Sequence, residues 1–182
     1  HKYGEFKYGH INQWNTSQVT NMGELFSMKG AFNEDISNWD VCNVTNMAAM
    51  FLGTRNFNGD ISKWDVSNVT NMSEMFKGAL KFDGNLNSWN VSNVADMSWM
   101  FHQATSFNGN LSSWDVSNVA TMQSIFYEAN SFNAINGSLI AWNPHKWFSS
   151  CTKIDLVTMF PLPRNQVPDD KKPASMLSLL DD

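Results

Sequence analysis

Several common ingredients are scarce in this chain. Only two cysteines, Cys42 and Cys151, occur in 182 residues. That is too few for a disulfide framework. Charged residues make up 16%, below the usual quarter. The net charge is -5 and the pI is near 5.2, so no electrostatic reason exists to seek nucleic acid or anionic lipid. No apolar run approaches the roughly 18 residues of a membrane span. The chain opens at His1 with a polar stretch, without initiator Met or signal-peptide pattern, and reads as a mature or trimmed product.

Catalytic signatures are scarce too. His1, His10, His102 and His145 share no metal-ligand spacing. No nucleophile elbow, P-loop or GxGxxG is present. The expectation is a non-enzyme without cofactor or metal. A hydrolase or calcium-dependent lectin-like protein ranks third among the function classes. The apolar fraction is 42%, yet mean hydropathy is only -0.34, because Asn and Ser dilute the apolar residues.

What the chain has is a repeat. Trp14, Trp39, Trp64, Trp89 and Trp114 stand 25 positions apart. Other columns keep that register: Ile36, Ile61, Leu86; Val41, Val66, Val91; Val44, Val69, Val94; Met47, Met72, Met97; Phe51, Phe76, Phe101; and Phe57, Phe82, Phe107. A fixed period of this length means a solenoid, in which no unit buries its apolar side alone and stacked units share one core. Trp64 and Val66 are two apart and share one face of a strand. Val69, Met72, Met75, Phe76 and Ala79 recur at helical spacing. Ser67 or Asn68 suits the helix start and Gly78 its end. Asn58-Gly59 supplies a turn. The expected fold is α/β: a solenoid of 25-residue strand–helix units with a short parallel sheet on one face.

The expected organisation is an N-terminal cap over 1–10, five repeats over 11–132, a degenerate last repeat or cap over 133–160, and a Pro-rich extended tail over 161–182. The register slips after Phe132, since Trp142 follows ten residues later rather than seven. In the tail, Pro161, Pro163, Pro168 and Pro173 oppose regular structure.

The run Phe57-Asn-Gly-Asp-Ile-Ser-Lys-Trp-Asp-Val-Ser-Asn-Val-Thr-Asn-Met-Ser-Glu-Met-Phe76 resembles the BspA-like leucine-rich repeats, including the 25-residue bacterial-surface and mycoplasma-lipoprotein type (DUF285). The likeness covers 11 to about 132, with a weaker echo to 160. It implies a leucine-rich-repeat-like solenoid with roles in adhesion, surface display or partner binding. It implies no catalytic residues.

Two candidate partner-binding sites follow. Asn15, Asp40, Asp65, Asn90 and Asp115 lie between inward residues and form an outward polar ladder for a partner or a cation. Their alternative role is to hydrogen-bond local backbone. In the tail, Met176, Leu177, Leu179 and Leu180 form an apolar patch that docks on the solenoid itself or on a partner. The columns Asn43, Asn68, Asn93, Asn118 and Asn21, Asn46, Asn71, Asp96 read as turn-stabilising ladders. Sequons at Asn15, Asn43, Asn68, Asn71, Asn90 and Asn110 come from repeat composition; Asn136 is the best exception. Cys42 and Cys151 lie about four coils apart, near 20 Å at ~4.8 Å per coil, and are expected to be free thiols.

The leading expectation is a non-catalytic protein-binding module for recognition or adhesion, with an unidentified protein as partner. Extracellular or cell-surface display is favoured by the family resemblance. The alternative is a structural accessory subunit of a larger complex, peripheral to a membrane or within an organelle, anchored by its tail.

Overall fold

The computed structural model describes residues 8–132 and Trp142. Cys151, Asn136 and the tail residues Met176, Leu177, Leu179 and Leu180 lie outside the described residues, as does most of the two end segments.

Five coils stack: 11–35, 36–60, 61–85, 86–110 and the fifth from 111. The inward columns are the ones that the repeat marks. In the third coil, Ile61, Trp64, Val66, Val69, Met72, Met75, Phe76 and Ala79 are all buried. Phe26, Phe51, Phe76, Phe101 and Phe126 form one ring column, with successive centroids 5.6, 5.5, 5.6 and 5.6 Å apart. Phe32, Phe57, Phe82, Phe107 and Phe132 form a second, 5.8 to 6.1 Å apart. Within each middle coil the two columns touch at 4.0 Å. Offset stacking of this kind adds about 0.5–1.5 kcal/mol per pair beyond area burial.

The strand–helix expectation is not what the backbone does. From Gly9 to Phe132 the only helix is a 3-10 segment, Ile11–Gln13. No sheet is present among the described residues. Parallel pairing is confined to single bridges, Asn21 to Asn46, Asn46 to Asn71, Asn71 to Asp96, and Asp96 to Thr121. The α/β solenoid with a parallel sheet is therefore corrected to a solenoid of stacked turns.

The segment expected to be helical is a ribbon of turns. In the third coil, Met72, Glu74, Phe76 and Gly78 donate their N–H groups to Asp96, Ser98, Met100 and His102 of the next coil at 2.9, 2.8, 2.9 and 2.8 Å. The residues between them, Met75, Lys77 and Ala79, close turns onto Met72, Glu74 and Phe76 at 3.2, 3.1 and 3.0 Å. Alternate residues thus bond the next coil and their own turn. A helix would send every N–H to the carbonyl four residues back. Consecutive turns bring i and i+3 together just as a helix does. The apolar spacing therefore could not separate the two. Asn71 helps to decide: its Oδ1 accepts the Ser73 N–H at 2.9 Å, local bonding that competes with helix.

The turns require left-handed backbone twice per coil. Glu24 and Met28, Ala49 and Gly53, Glu74 and Gly78, Trp99 and Gln103, and Ser124 and Glu128 all have φ between 53° and 69°. Only two of these ten are glycine. Ala49, with φ 53°, offers a test. In a helix, Ala to Gly costs about 1 kcal/mol. In a left-handed turn the methyl group is the strained group. Ala49→Gly is expected to raise stability by roughly 0.5 kcal/mol, because the relieved strain outweighs the looser unfolded chain. A lower guanidinium midpoint for that variant would contradict the turn ribbon.

The segment expected to be a strand carries no inter-coil backbone ladder. Trp64 N–H closes onto Ile61 at 3.2 Å and Val69 onto Val66 at 2.9 Å. Side chains join the coils instead. The indole N–H of Trp39, Trp64, Trp89 and Trp114 donates to the carbonyls of Ile11, Ile36, Ile61 and Leu86 at 2.8, 3.2, 3.1 and 2.9 Å. Trp142 donates to Leu111 at 3.0 Å and lies 6.2 Å from Trp114 with an interplanar angle of 9°. The tryptophan column therefore continues through the slipped register.

Candidate recognition face

The polar ladder expected from the sequence is exposed, and its members serve their own turns. Oδ1 of Asn15, Asp40, Asp65, Asn90 and Asp115 accepts the N–H two residues on, at Ser17, Cys42, Ser67, Ser92 and Ser117, over 3.0 to 3.2 Å. A second column does the same: Asp35, Asp60, Asn85 and Asn110 accept from Ser37, Ser62, Asn87 and Ser112. The asparagine columns bridge coils. Nδ2 of Asn43, Asn68, Asn93 and Asn118 donates to the carbonyls of Ser17, Cys42, Ser67 and Ser92 at 2.7 to 2.8 Å. A glycan on Asn43 or Asn68 would take the nitrogen that makes this bridge.

These turns hold the carboxylates below their ordinary range. For Asp40 the largest cause is the Cys42 side chain, followed by the Cys42 backbone N–H. For Asp65 it is the Ser67 hydroxyl, followed by its N–H, with the Asp40 charge opposing. The Cys42 thiol is pushed up, first by Asp40. A carboxylate with a depressed folded pKa stabilises the fold above its unfolded value, about pH 4. That contribution disappears as pH falls through the folded value. Asp40→Asn with Asp65→Asn is expected to flatten the loss of stability below about pH 4. Guanidinium midpoints measured across that range test this, and an unchanged acid slope in the double variant would contradict it.

A further face escaped the sequence reading. It is the outer side of the turn ribbon, at three columns: Glu24, Ala49, Glu74, Trp99, Ser124; Ser27, Leu52, Lys77, His102, Tyr127; and Met28, Gly53, Gly78, Gln103, Glu128. The signal was present in the sequence. These columns change from coil to coil while the inward ones stay nearly constant. Their outward direction was hidden by the helical reading. Met28 is 74% exposed, Tyr127 39% and Trp99 36%.

The face is organised toward its later coils. Lys77 Nζ lies 4.0 Å from the Trp99 ring centroid and 2.7 Å from Glu74 Oε2. His102 stacks on Tyr127 at 5.0 Å and 17° and meets Trp99 at 6.0 Å and 39°. Gln103 Nε2 donates to Glu128 Oε2 at 2.7 Å. The His102 Nδ1 atom is buried without a hydrogen-bond partner. Burial, then the Lys77 charge, lowers the His102 pKa, against Glu128 and Glu74. Burial and the Lys77 charge thus favour the neutral imidazole, which packs as an aromatic ring on Tyr127.

A family model described as "Mycoplasma protein of unknown function, DUF285" matches the chain twice, over residues 1–96 and 60–156. The search of curated proteins found no match. The two matched spans overlap in the third and fourth coils and together cover most of the sequence, which agrees with the 25-residue period running through both. The chain belongs to the DUF285 repeat family.

Proposed function

We propose that this chain is a non-catalytic recognition module that binds another protein through the outer face of its turn ribbon. The observation that carries this reading is the division of labour among the columns. Inward and bridging positions repeat nearly unchanged, as stacking demands. The outward positions of the ribbon differ from coil to coil and place Trp99, His102 and Tyr127 together at the surface. Exposed aromatics grouped with charged and amide side chains are the composition of a binding surface. A solenoid presents such positions in a row, so each coil contributes its own side chains to one extended contact.

The test is quantitative capture of cross-linked partners from source extract. It compares the parent chain, a Trp99→Asn/Tyr127→Ser variant and an Asp40→Ser/Asp65→Ser variant. A defined partner lost with the aromatic variant and kept with the Asp variant supports the ribbon face. Loss with the Asp variant alone would move the contact to the polar ladder and overturn this assignment. Asn is chosen at position 99 because it tolerates left-handed backbone.

A further inference from the structure

We infer that the surface site formed by Glu74 and Trp99 receives an arginine side chain of a protein partner, with Lys77 as its built-in placeholder. This rests on the recognition reading above and names the chemistry of its partner. Three observations lead to it. First, the site already holds a cation. The Lys77 ammonium sits 4.0 Å from the Trp99 centroid while its Nζ contacts Glu74 at 2.7 Å. An aromatic face and a carboxylate therefore converge on one cationic position. Second, the occupant remains accessible. The Lys77 and Glu74 side chains keep 23% and 35% of their surface open to solvent, so the ammonium is reached from outside and is held by one ion pair and one ring face. Third, arginine fits the same two groups better than lysine. Its planar guanidinium stacks on an indole and forks onto a carboxylate with two parallel N–H donors, whereas an ammonium meets both as a point charge.

The surroundings favour a cationic guest over a neutral one. Glu128 lies on the same face beside Gln103, and the whole chain carries a net charge of -5. The His102 and Tyr127 rings stack on each other, so their shared faces are closed to a flat guest such as a sugar ring. The cation-bearing side of Trp99 is the side where exchange can occur: Lys77 swings out and a guanidinium moves in. Lys77 then competes with the guest, and its removal strengthens binding.

The experiment uses the full chain and dye-labelled hexa-arginine and hexa-lysine peptides, read by fluorescence anisotropy at ~0.15 M salt, where long-range attraction is screened. Hexa-arginine is expected to bind more tightly than hexa-lysine. Lys77→Ala is expected to tighten hexa-arginine about two- to fivefold. Lys63→Ala, the same charge change at an exposed site elsewhere, leaves it nearly unchanged. Glu74→Gln and Trp99→Asn are each expected to weaken it about tenfold, while Glu24→Gln, with the same charge change as Glu74→Gln, has little effect. Equal losses for Glu24→Gln and Glu74→Gln would reduce the effect to diffuse charge attraction and overturn the assignment. So would a Lys77→Ala variant that binds no better than Lys63→Ala. If the partner captured above is lost in the Trp99→Asn/Tyr127→Ser variant but hexa-arginine ignores Glu74 and Trp99, the recognition face stands and the arginine site falls. If hexa-arginine obeys these variants while partner capture does not, the recognition reading itself fails.

Discussion

Phe76→Ala is expected to lower stability by about 3–5 kcal/mol. The ring is fully buried in the third of five coils. It meets Phe51 at 5.5 Å, Phe82 at 4.0 Å and Phe101 at 5.6 Å. Truncation removes these contacts and a fourth, with Trp89 at 6.4 Å, and leaves a void that no neighbour can enter without breaking its own column. In a solenoid each coil is stabilised by its neighbours, so a weak middle coil also uncouples the two halves. The expected result is a large drop in guanidinium midpoint with a reduced m-value, as the two halves begin to unfold separately. A loss below about 1 kcal/mol would show that the phenylalanine columns do not carry the core.

Trp89→Ala is expected to cost a similar ~3–5 kcal/mol, but for two separable reasons. The indole fills the core and also bonds coil to coil, because its Nε1 donates to Ile61 at 3.1 Å in a buried position. Trp89→Phe keeps most of the volume and loses the donor. It should recover all but about 1–2 kcal/mol, the combined effect of one hydrogen bond and a small void. The Ile61 carbonyl still accepts the Trp64 N–H at 3.2 Å, so the phenylalanine variant does not orphan it. Trp14→Phe is the internal control. Trp14 is 41% exposed against 4% for Trp39, and its donor bond to Tyr8 is also exposed. That change should be nearly silent. Equal losses at Trp14 and Trp89 in thermal or chemical unfolding would deny the indole ladder its structural role.

The candidate sites were legible to different degrees. Asp40 and Asp65 could be placed outward from their position between Trp64, or Trp39, and the next valine. Their turn bonding to Cys42 and Ser67 was one of two roles the residue type allowed. Trp99, His102 and Tyr127 were harder to find. Trp99 stands at a column held elsewhere by Glu24, Ala49, Glu74 and Ser124, which looks like noise until its left-handed φ of 58° sets the direction of the side chain.

The 25-residue period by itself determined that the chain stacks, which columns face inward, and that Asn and Trp columns recur where coils meet. Periodicity records which residues share an environment, and the apolar columns among them are the ones that stacking must bury. Only the tertiary structure decided the backbone that delivers those columns. A spacing of three to four is compatible with a helix or with consecutive turns, and a spacing of two with a strand or with alternating turn positions. The choice was made between coils. Alternate N–H groups such as Met72, Glu74 and Phe76 find carbonyl partners 24 residues onward, and a helix would have consumed those groups within its own segment. The long-range hydrogen bonds therefore set the local conformation, and with it the outer face.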